Sequence, residues 1–173
     1  RKFMILKKNL VFLGMMGSGK SSIGRLVSQK VNLKFVDIDN LIEEKEEMSI
    51  SDIFKKKGEN YFRNLEEKIT LKTLKNVNNV ISLGGGCFMN SKVRKEILMN
   101  HFSFWLNWDE ETLLKRIKNS RKRPLAYKSN NQEIKQLIKK RSKIYSKAHF
   151  KINCNNLTKA EIVKKIIKIY ELN

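Results

Sequence analysis

The segment LVFLGMMGSGKSSIGRL, residues 10–26, constrains this chain more than any other. It opens as a buried strand, closes as an amphipathic helix, and holds GMMGSGKS between the two. The chain has only 8 glycines in 173 residues, yet Gly14, Gly17 and Gly19 all fall in this one turn. Gly14-x-x-x-x-Gly19-Lys20-Ser21 is the phosphate-loop spacing, in the strand-to-helix context that the spacing requires. Glycines let the backbone arch so that its N–H groups approach phosphate oxygens. The following helix adds its free N-terminal amides and the positive end of its dipole. Lys20 then reaches the β- and γ-phosphates and the Ser21 hydroxyl is placed to ligate Mg²⁺. A nucleoside triphosphate is the ligand this turn predicts.

The rest of the chain alternates short apolar runs with longer helical patterns. NLVFLG (9–14), LKFVDID (33–39), NVISL (79–83), FSFWLNW (102–108) and HFKINC (149–154) read as strands. Helices are predicted from 21 to 30, over LIEEKE after an Asp39 or Asn40 cap, and over DIFKKKG after a Ser51 cap. Further helices follow over GENYFRNLEEKITLKTLKN, SKVRKEILMN, EETLLKRIKNS behind Asp109, QEIKQLIKKRSKIYSKA, and KAEIVKKIIKIYEL behind Thr158. Buried strands alternating with helices predict an α/β fold with a five-stranded parallel sheet covered on both faces. Ligands of such sheets bind beyond the carboxyl ends of the strands. Those ends here carry GMMGSGKS, the pair Asp37 and Asp39, and the run Gly84, Gly85, Gly86.

Length and the absence of repeats or linkers predict one domain over 1–173. The balance of 37 Lys+Arg against 17 Asp+Glu gives a net charge of +20, which raises nucleic acid and anionic surfaces as partners. The lysines are spread along the chain and form no basic block interleaved with aromatics, so a compositional bias explains them better than a nucleic-acid surface. Cys87 and Cys154 have neither metal-ligand spacing nor a disulfide framework, the usage of a reducing cytosol. No stretch approaches 18 apolar residues, so no membrane span is expected. A cytoplasmic protein is expected, and the lack of a spare apolar stripe favours a monomer.

Several polar residues stand out on their own chemistry. Asp37 and Asp39 can serve a metal through water and accept a hydrogen bond from a substrate hydroxyl, although Asp39 could equally be a helix cap. The glycine run lets a ligand pack against bare backbone. Arg63 and Arg141 are guanidinium donors for an acidic substrate, or ordinary surface arginines. Arg123, before the single proline Pro124, lies in a polar segment near 117–130 that reads as a lid closing over phosphates. No NKxD segment for reading guanine is present, and one compact domain suits a small-molecule kinase.

GMMGSGKSSIGRLVSQ, FVDIDNLIE, SISDIFKKKGENYFRNLEE, SLGGGC, RPL and KRSKIYSKA, in that order, resemble shikimate kinases over nearly the whole chain. The resemblance implies a three-layer α/β/α sandwich of the P-loop NTPase, nucleoside monophosphate kinase-like fold. It also implies transfer of the γ-phosphoryl group of ATP to the 3-hydroxyl of shikimate, a step of chorismate and aromatic amino-acid biosynthesis. On this resemblance Gly17, Ser18, Gly19, Lys20, Ser21 and Ser22 would hold the phosphates, with Ser21 on Mg²⁺ and Asp37 on metal-bound water. Asp39, Arg63, Gly84, Gly85, Gly86 and Arg141 would bind shikimate, in a helical region near 39–66 and the elements facing it. Lys20, Asp39 and Arg123 would be catalytic, Arg123 from the lid, and Arg116 would lie beside the adenine. Asp39 would orient or deprotonate the attacking hydroxyl. The chain departs from the family pattern at Ser22 and Cys87, in RPLA for RPLL, and in CNNLTK, where Asn155 and Asn156 stand near an arginine position. Two other readings compete: a related kinase acting on a sugar acid, and a silent basic nucleotide-binding module acting on nucleic acid.

Overall fold

Leu10 and Phe12 face one side of their strand and Val11 and Leu13 the other, and this period of two divides the molecule into two apolar layers. A computed structural model describes residues 8–119 and 130–173. Its strands are Leu10–Leu13 (β1), Lys34–Asp37 (β2), Asn79–Ser82 (β3), Phe102–Asn107 (β4) and Phe150–Asn153 (β5). Its helices are Lys20–Val31 (α1), Ile38–Glu46 (α2), Ile50–Lys57 (α3), Glu59–Leu74 (α4), Ser91–Asn100 (α5), Glu110–Lys118 (α6), Asn131–Tyr145 (α7) and Lys159–Leu172 (α8). A 3-10 turn at Cys87–Met89 follows the glycine run.

The strands pair in the order β2-β3-β1-β4-β5, every pair parallel. Leu10, Phe12, Val80, Phe104 and Ile152 pack against Ile23 and Val27 of α1 and Ile162, Val163 and Ile166 of α8. On the other face Val11, Leu13, Ile81 and Trp105 share a core with residues of α2 to α7, among them Ile42, Phe62, Val93, Ile117 and Tyr145. The predicted three-layer α/β/α sandwich is therefore present, with the phosphate loop at the carboxyl end of the central strand.

Three local boundaries differ from the sequence-based expectation. β2 ends at Asp37, which caps α2 by accepting from the Asn40 N–H at 3.3 Å, so Asp39 lies in the first helical turn and not on a strand. α3 is capped by Ser49, whose hydroxyl accepts from the Asp52 N–H at 3.1 Å, while Ser51 lies inside the first turn. The left-handed Glu47 at φ 53° ends α2 early enough for the chain to re-enter a helix at Ile50. Gly58 at φ 84° separates α3 from α4. Of the predicted lid near 117–130, residues 120–129, including Arg123, lie outside the described residues.

At the opposite end of the sheet a polar clasp joins three strands. The Asn9 side chain accepts from the Asn79 N–H at 2.9 Å and donates to the Asn76 carbonyl at 2.7 Å. The Asn9 N–H in turn donates to His101 Nδ1 at 3.1 Å, just before β4.

Candidate active site

The loop between β1 and α1 is an arch with positive φ at Gly14, Gly17 and Gly19, the last of which is the N-cap position of α1. Lys20 is 5% exposed, and its ammonium donates to the Gly14 and Met15 carbonyls at 2.8 Å each. A buried cation is thus held inside a glycine-rich arch that leads into a helix N-terminus, an arrangement suited to polyphosphate binding. Ser18, 1% exposed, keeps its hydroxyl oxygen without a hydrogen-bond partner among the described residues.

In the first turn of α1, the Ser21 hydroxyl donates to Asp37 Oδ2 at 2.5 Å and lies 3.3 Å from the Ser82 hydroxyl. Asp37 and Ser82 are register partners at the ends of β2 and β3, which is why they meet. A serine hydroxyl and one carboxylate beside a phosphate site fit Mg²⁺, which keeps several waters and takes its remaining ligands from substrate phosphates. Among the described residues no cluster of three or more His, Cys, Asp or Glu forms a dedicated metal cage, and Mg²⁺ at a nucleotide site needs none.

Beside this pair opens a cleft of about 610 Å³, lined by Asp39, Arg63, Glu66, the glycine run and Arg141. Another cleft of about 750 Å³ runs along the β2 edge and shares Asp37 and Asn40 with it, but Arg63, Arg141 and the glycine run line only the first. The glycines are needed for close approach. A β-carbon at Gly84 would stand 2.7 Å from Asp39 Oδ1 and 3.0 Å from Glu66 Oε2. One at Gly85 would stand 3.2 Å from Arg141 Nη1, and one at Gly86 2.6 Å from Arg63 Nη1. The bare backbone therefore lets two guanidinium groups and two carboxylates converge on one wall.

The electrostatics of that wall are unusual for their burial. Arg63 Nη1 donates to Glu66 Oε1 at 2.9 Å, with Glu59 3.7 Å from Nε. Burial works against the Arg63 charge, and the two glutamates outweigh it and hold its pKa above the usual value. Glu66 is 3% exposed, and burial pushes its carboxyl above the usual carboxylate value against the pull of Arg63, with Asp39 adding to the rise. Burial likewise drives the Cys87 thiol well up, so it is a packing residue. Glu66 Oε2 and Arg141 Nη1 are both buried without a hydrogen-bond partner among the described residues. An orphaned acceptor and an orphaned guanidinium N–H in one cleft call for a ligand with both hydroxyl and carboxylate groups.

Arg116 of α6 sits at the other side of the phosphate loop, its Nε donating to the Gly17 carbonyl at 2.6 Å and its guanidinium 4.3 Å from the Trp108 ring centre. The structure thus brings Asp37, Asp39, Arg63, Arg141, Arg116, the glycine run and the phosphate loop to one end of the sheet. Asn155 accepts from the Asp109 N–H at 2.8 Å and so braces the start of α6. Sequence reasoning missed Glu66, Ser82, Trp108 and Tyr145, the last of which donates its hydroxyl to the Gly85 carbonyl. Glu66 alone carried a local signal, its i,i+3 spacing from Arg63 on one helix.

A sequence model of the shikimate kinase family matches residues 16–171. The shikimate kinase of Sulfurihydrogenibium sp. is 43% identical over 160 residues, 92% of this chain and 96% of its own length. That of Persephonella marina is 41% identical over 160 residues, 92% and 97% of the two chains. Among solved structures, shikimate kinase from Acinetobacter baumannii in complex with shikimate superposes with a TM-score of 0.90 at 28% identity, covering 96% of this chain and 94% of that one. The Aquifex aeolicus shikimate kinase gives 0.85 at 37% identity, with 94% and 96% covered. A deoxyadenosine kinase from M. mycoides, at 17% identity and a TM-score of 0.63 with 94% and 99% covered, shares the fold alone.

Proposed function

The chain belongs to the shikimate kinase family, and from that membership we propose the reaction and the residues that carry it: transfer of the γ-phosphoryl group of ATP to the 3-hydroxyl of shikimate. The observation that carries this reading is the buried Arg141, 5% exposed with Nη1 lacking a hydrogen-bond partner among the described residues, beside Arg63 in the same cleft. An orphaned guanidinium N–H at such burial is costly unless an anion completes it. The shikimate carboxylate is that anion, held between Arg63 and Arg141. Asp39 accepts from the ring hydroxyls, and Gly84, Gly85 and Gly86 form the wall against which the ring lies.

The phosphate loop from Gly17 to Ser22 holds the triphosphate, and Lys20 offsets its charge from inside the arch. Ser21 and, through water, Asp37 would hold Mg²⁺, which when bound neutralises charge on the β- and γ-phosphate oxygens. The 3-hydroxyl oxygen attacks the γ-phosphorus, the bond to the β,γ-bridging oxygen breaks, and ADP departs. Asp39 orients the hydroxyl and is the acceptor nearest its proton. In phosphoryl transfer, positioning and charge neutralisation outweigh base strength, so orientation is its main contribution. Arg123 is assigned to the transferring phosphate on family resemblance, and it lies outside the described residues. Arg116 is assigned to the adenine on family resemblance, and its contacts with Trp108 and the Gly17 carbonyl support that reading.

We read the chain as one domain acting as a cytoplasmic monomer. Two buried free cysteines fit a reducing compartment. No helix among the described residues is long and apolar enough to cross a membrane. The test is ADP production with ATP and Mg²⁺, with shikimate or gluconate added. Stimulation by shikimate alone is expected; stimulation by gluconate with none by shikimate would assign the site to a sugar acid.

A further inference from the structure

Two carbonyls of the phosphate loop are held by side chains from the β4–α6 connection and from α6. The Trp108 indole Nε1–H donates to the Ser18 carbonyl at 2.8 Å, and Arg116 Nε–H donates to the Gly17 carbonyl at 2.6 Å. The two donors are coupled, because the Arg116 guanidinium lies 4.3 Å above the Trp108 ring centre. Trp108 is itself seated against both apolar layers of the molecule, which fixes the plane of its ring.

The peptide between Ser18 and Gly19 is trans and planar, as are all described peptides, so its C=O and N–H point in opposite directions. Holding the Ser18 carbonyl toward Trp108 therefore turns the Gly19 N–H away from Trp108. The Ser18 carbonyl lies just before α1, whose first backbone bond runs from the Ile23 N–H to the Gly19 carbonyl at 2.8 Å. It has no place in the helical ladder, and Gly19 at φ 89° has backbone freedom that an unheld peptide would use to rotate. The peptide between Gly17 and Ser18 is fixed at both ends, by Arg116 at its carbonyl and by the Met15 carbonyl, which accepts from the Ser18 N–H at 3.1 Å.

We propose that Trp108 is a positioning residue for the nucleotide: its N–H sets the Gly19 amide toward the phosphates, and its ring face sets the plane of Arg116 beside the base. The proposal rests on the reading of this loop as the ATP site and goes beyond it, since Trp108 is not among the residues assigned to either substrate. Its two contributions differ in reach. The hydrogen bond acts on any polyphosphate equally, whereas the stack, which reaches the phosphates only through the Arg116 bond to the Gly17 carbonyl, adds a contribution for a ligand that carries a base.

The experiment compares W108F, which keeps a ring for Arg116 but removes the donor, with W108L, which removes both. Affinities for ADP and for inorganic tripolyphosphate are measured by calorimetry, and KM for ATP and for shikimate by steady-state turnover. In W108F both ligands should weaken by the same factor, about threefold to tenfold, the worth of one hydrogen bond. W108L should lose more again, and by about twofold to fivefold more for ADP than for tripolyphosphate, the worth of the cation–π contact. KM for ATP should follow ADP while KM for shikimate stays at its wild-type value. Unchanged ADP and tripolyphosphate affinity in W108F overturns the proposal. So does a parallel rise of both KM values with a fall in thermal midpoint, the mark of a residue that only supports the fold. If W108L fails to fold, W108F decides alone. Wild-type turnover in the same series separates the two readings: no response to shikimate with ADP still bound overturns the reaction and leaves the tripolyphosphate comparison to judge Trp108.

Discussion

A methyl group at Gly86 would lie 2.6 Å from Arg63 Nη1 and 2.7 Å from Nη2. The guanidinium can swing away, because it ends a flexible side chain, so the fold should tolerate the change while the carboxylate site does not. G86A should raise the shikimate KM by about tenfold or more, the worth of a charge-assisted hydrogen bond, with ADP affinity and thermal midpoint nearly unchanged. A normal shikimate KM would remove Arg63 from the substrate. Asp39 makes a separate test, since it faces the same wall at Gly84. D39N keeps the shape of the side chain and removes the charge that orients the attacking hydroxyl. Turnover should fall by about a hundredfold or more, the cost of a misplaced reacting group, while calorimetry finds ATP bound almost as before. Equal losses in turnover and ATP affinity would move Asp39 from the substrate to the phosphates.

The clasp at the amino-terminal edge of the sheet shows how an element can depend on one protonation state. The Asn9 N–H, entering β1, donates to His101 Nδ1 at 3.1 Å, which requires the neutral imidazole. Burial lowers the His101 pKa from the usual 6.5, Lys8 adds to the fall, and Glu96, 3.5 Å from Nε2, opposes it. A base whose folded pKa is depressed stabilises the fold above its unfolded pKa, and the contribution is lost as pH falls below that value. The thermal midpoint should therefore drop between about pH 7.5 and about pH 5.5, and drop less in H101N, whose amide oxygen accepts at every pH. Identical slopes would clear His101 of this role. Elements with local signals were legible in the sequence: Asp109 and Thr158 cap α6 and α8 where the pattern put them. The pattern puts the caps of α2 and α3 at Asp39 or Asn40 and at Ser51, not at Asp37 and Ser49, because neighbouring residues cap equally well, and only the left-handed Glu47 and the burial of Ile53 choose between them. In the same way the phosphate-loop spacing singles out Lys20, whereas Asp39, Arg63 and Arg141 take their roles from the family resemblance and not from any spacing of their own. Trp108 and Tyr145 act through partners 90 and 60 residues away, and no local pattern announces such contacts.

Taken whole, the molecule carries a net charge of +20 and acts on two anions. Exposed lysines lie on α3 and α7, whose neighbours line the substrate cleft, and also on α8 across the sheet, so the field surrounds the molecule and is not confined to one stripe. A field of this kind raises encounter rates with anions and contributes little once the ligand is docked. The Debye length shrinks from about 30 Å at 0.01 M salt to about 10 Å at 0.1 M, so added salt should screen the approach before it touches the buried contacts. Each kcat/KM should then fall with ionic strength, where the chemical step does not mask the encounter, while kcat stays level. The fall should be steeper for ATP than for shikimate, because a triphosphate carries several negative charges and shikimate one. Steady-state kinetics in potassium chloride from about 0.02 M to about 0.3 M measures both slopes across that range of screening lengths. Equal slopes, or a salt dependence carried by kcat, would mean that the excess lysines solvate the surface and do not steer substrates.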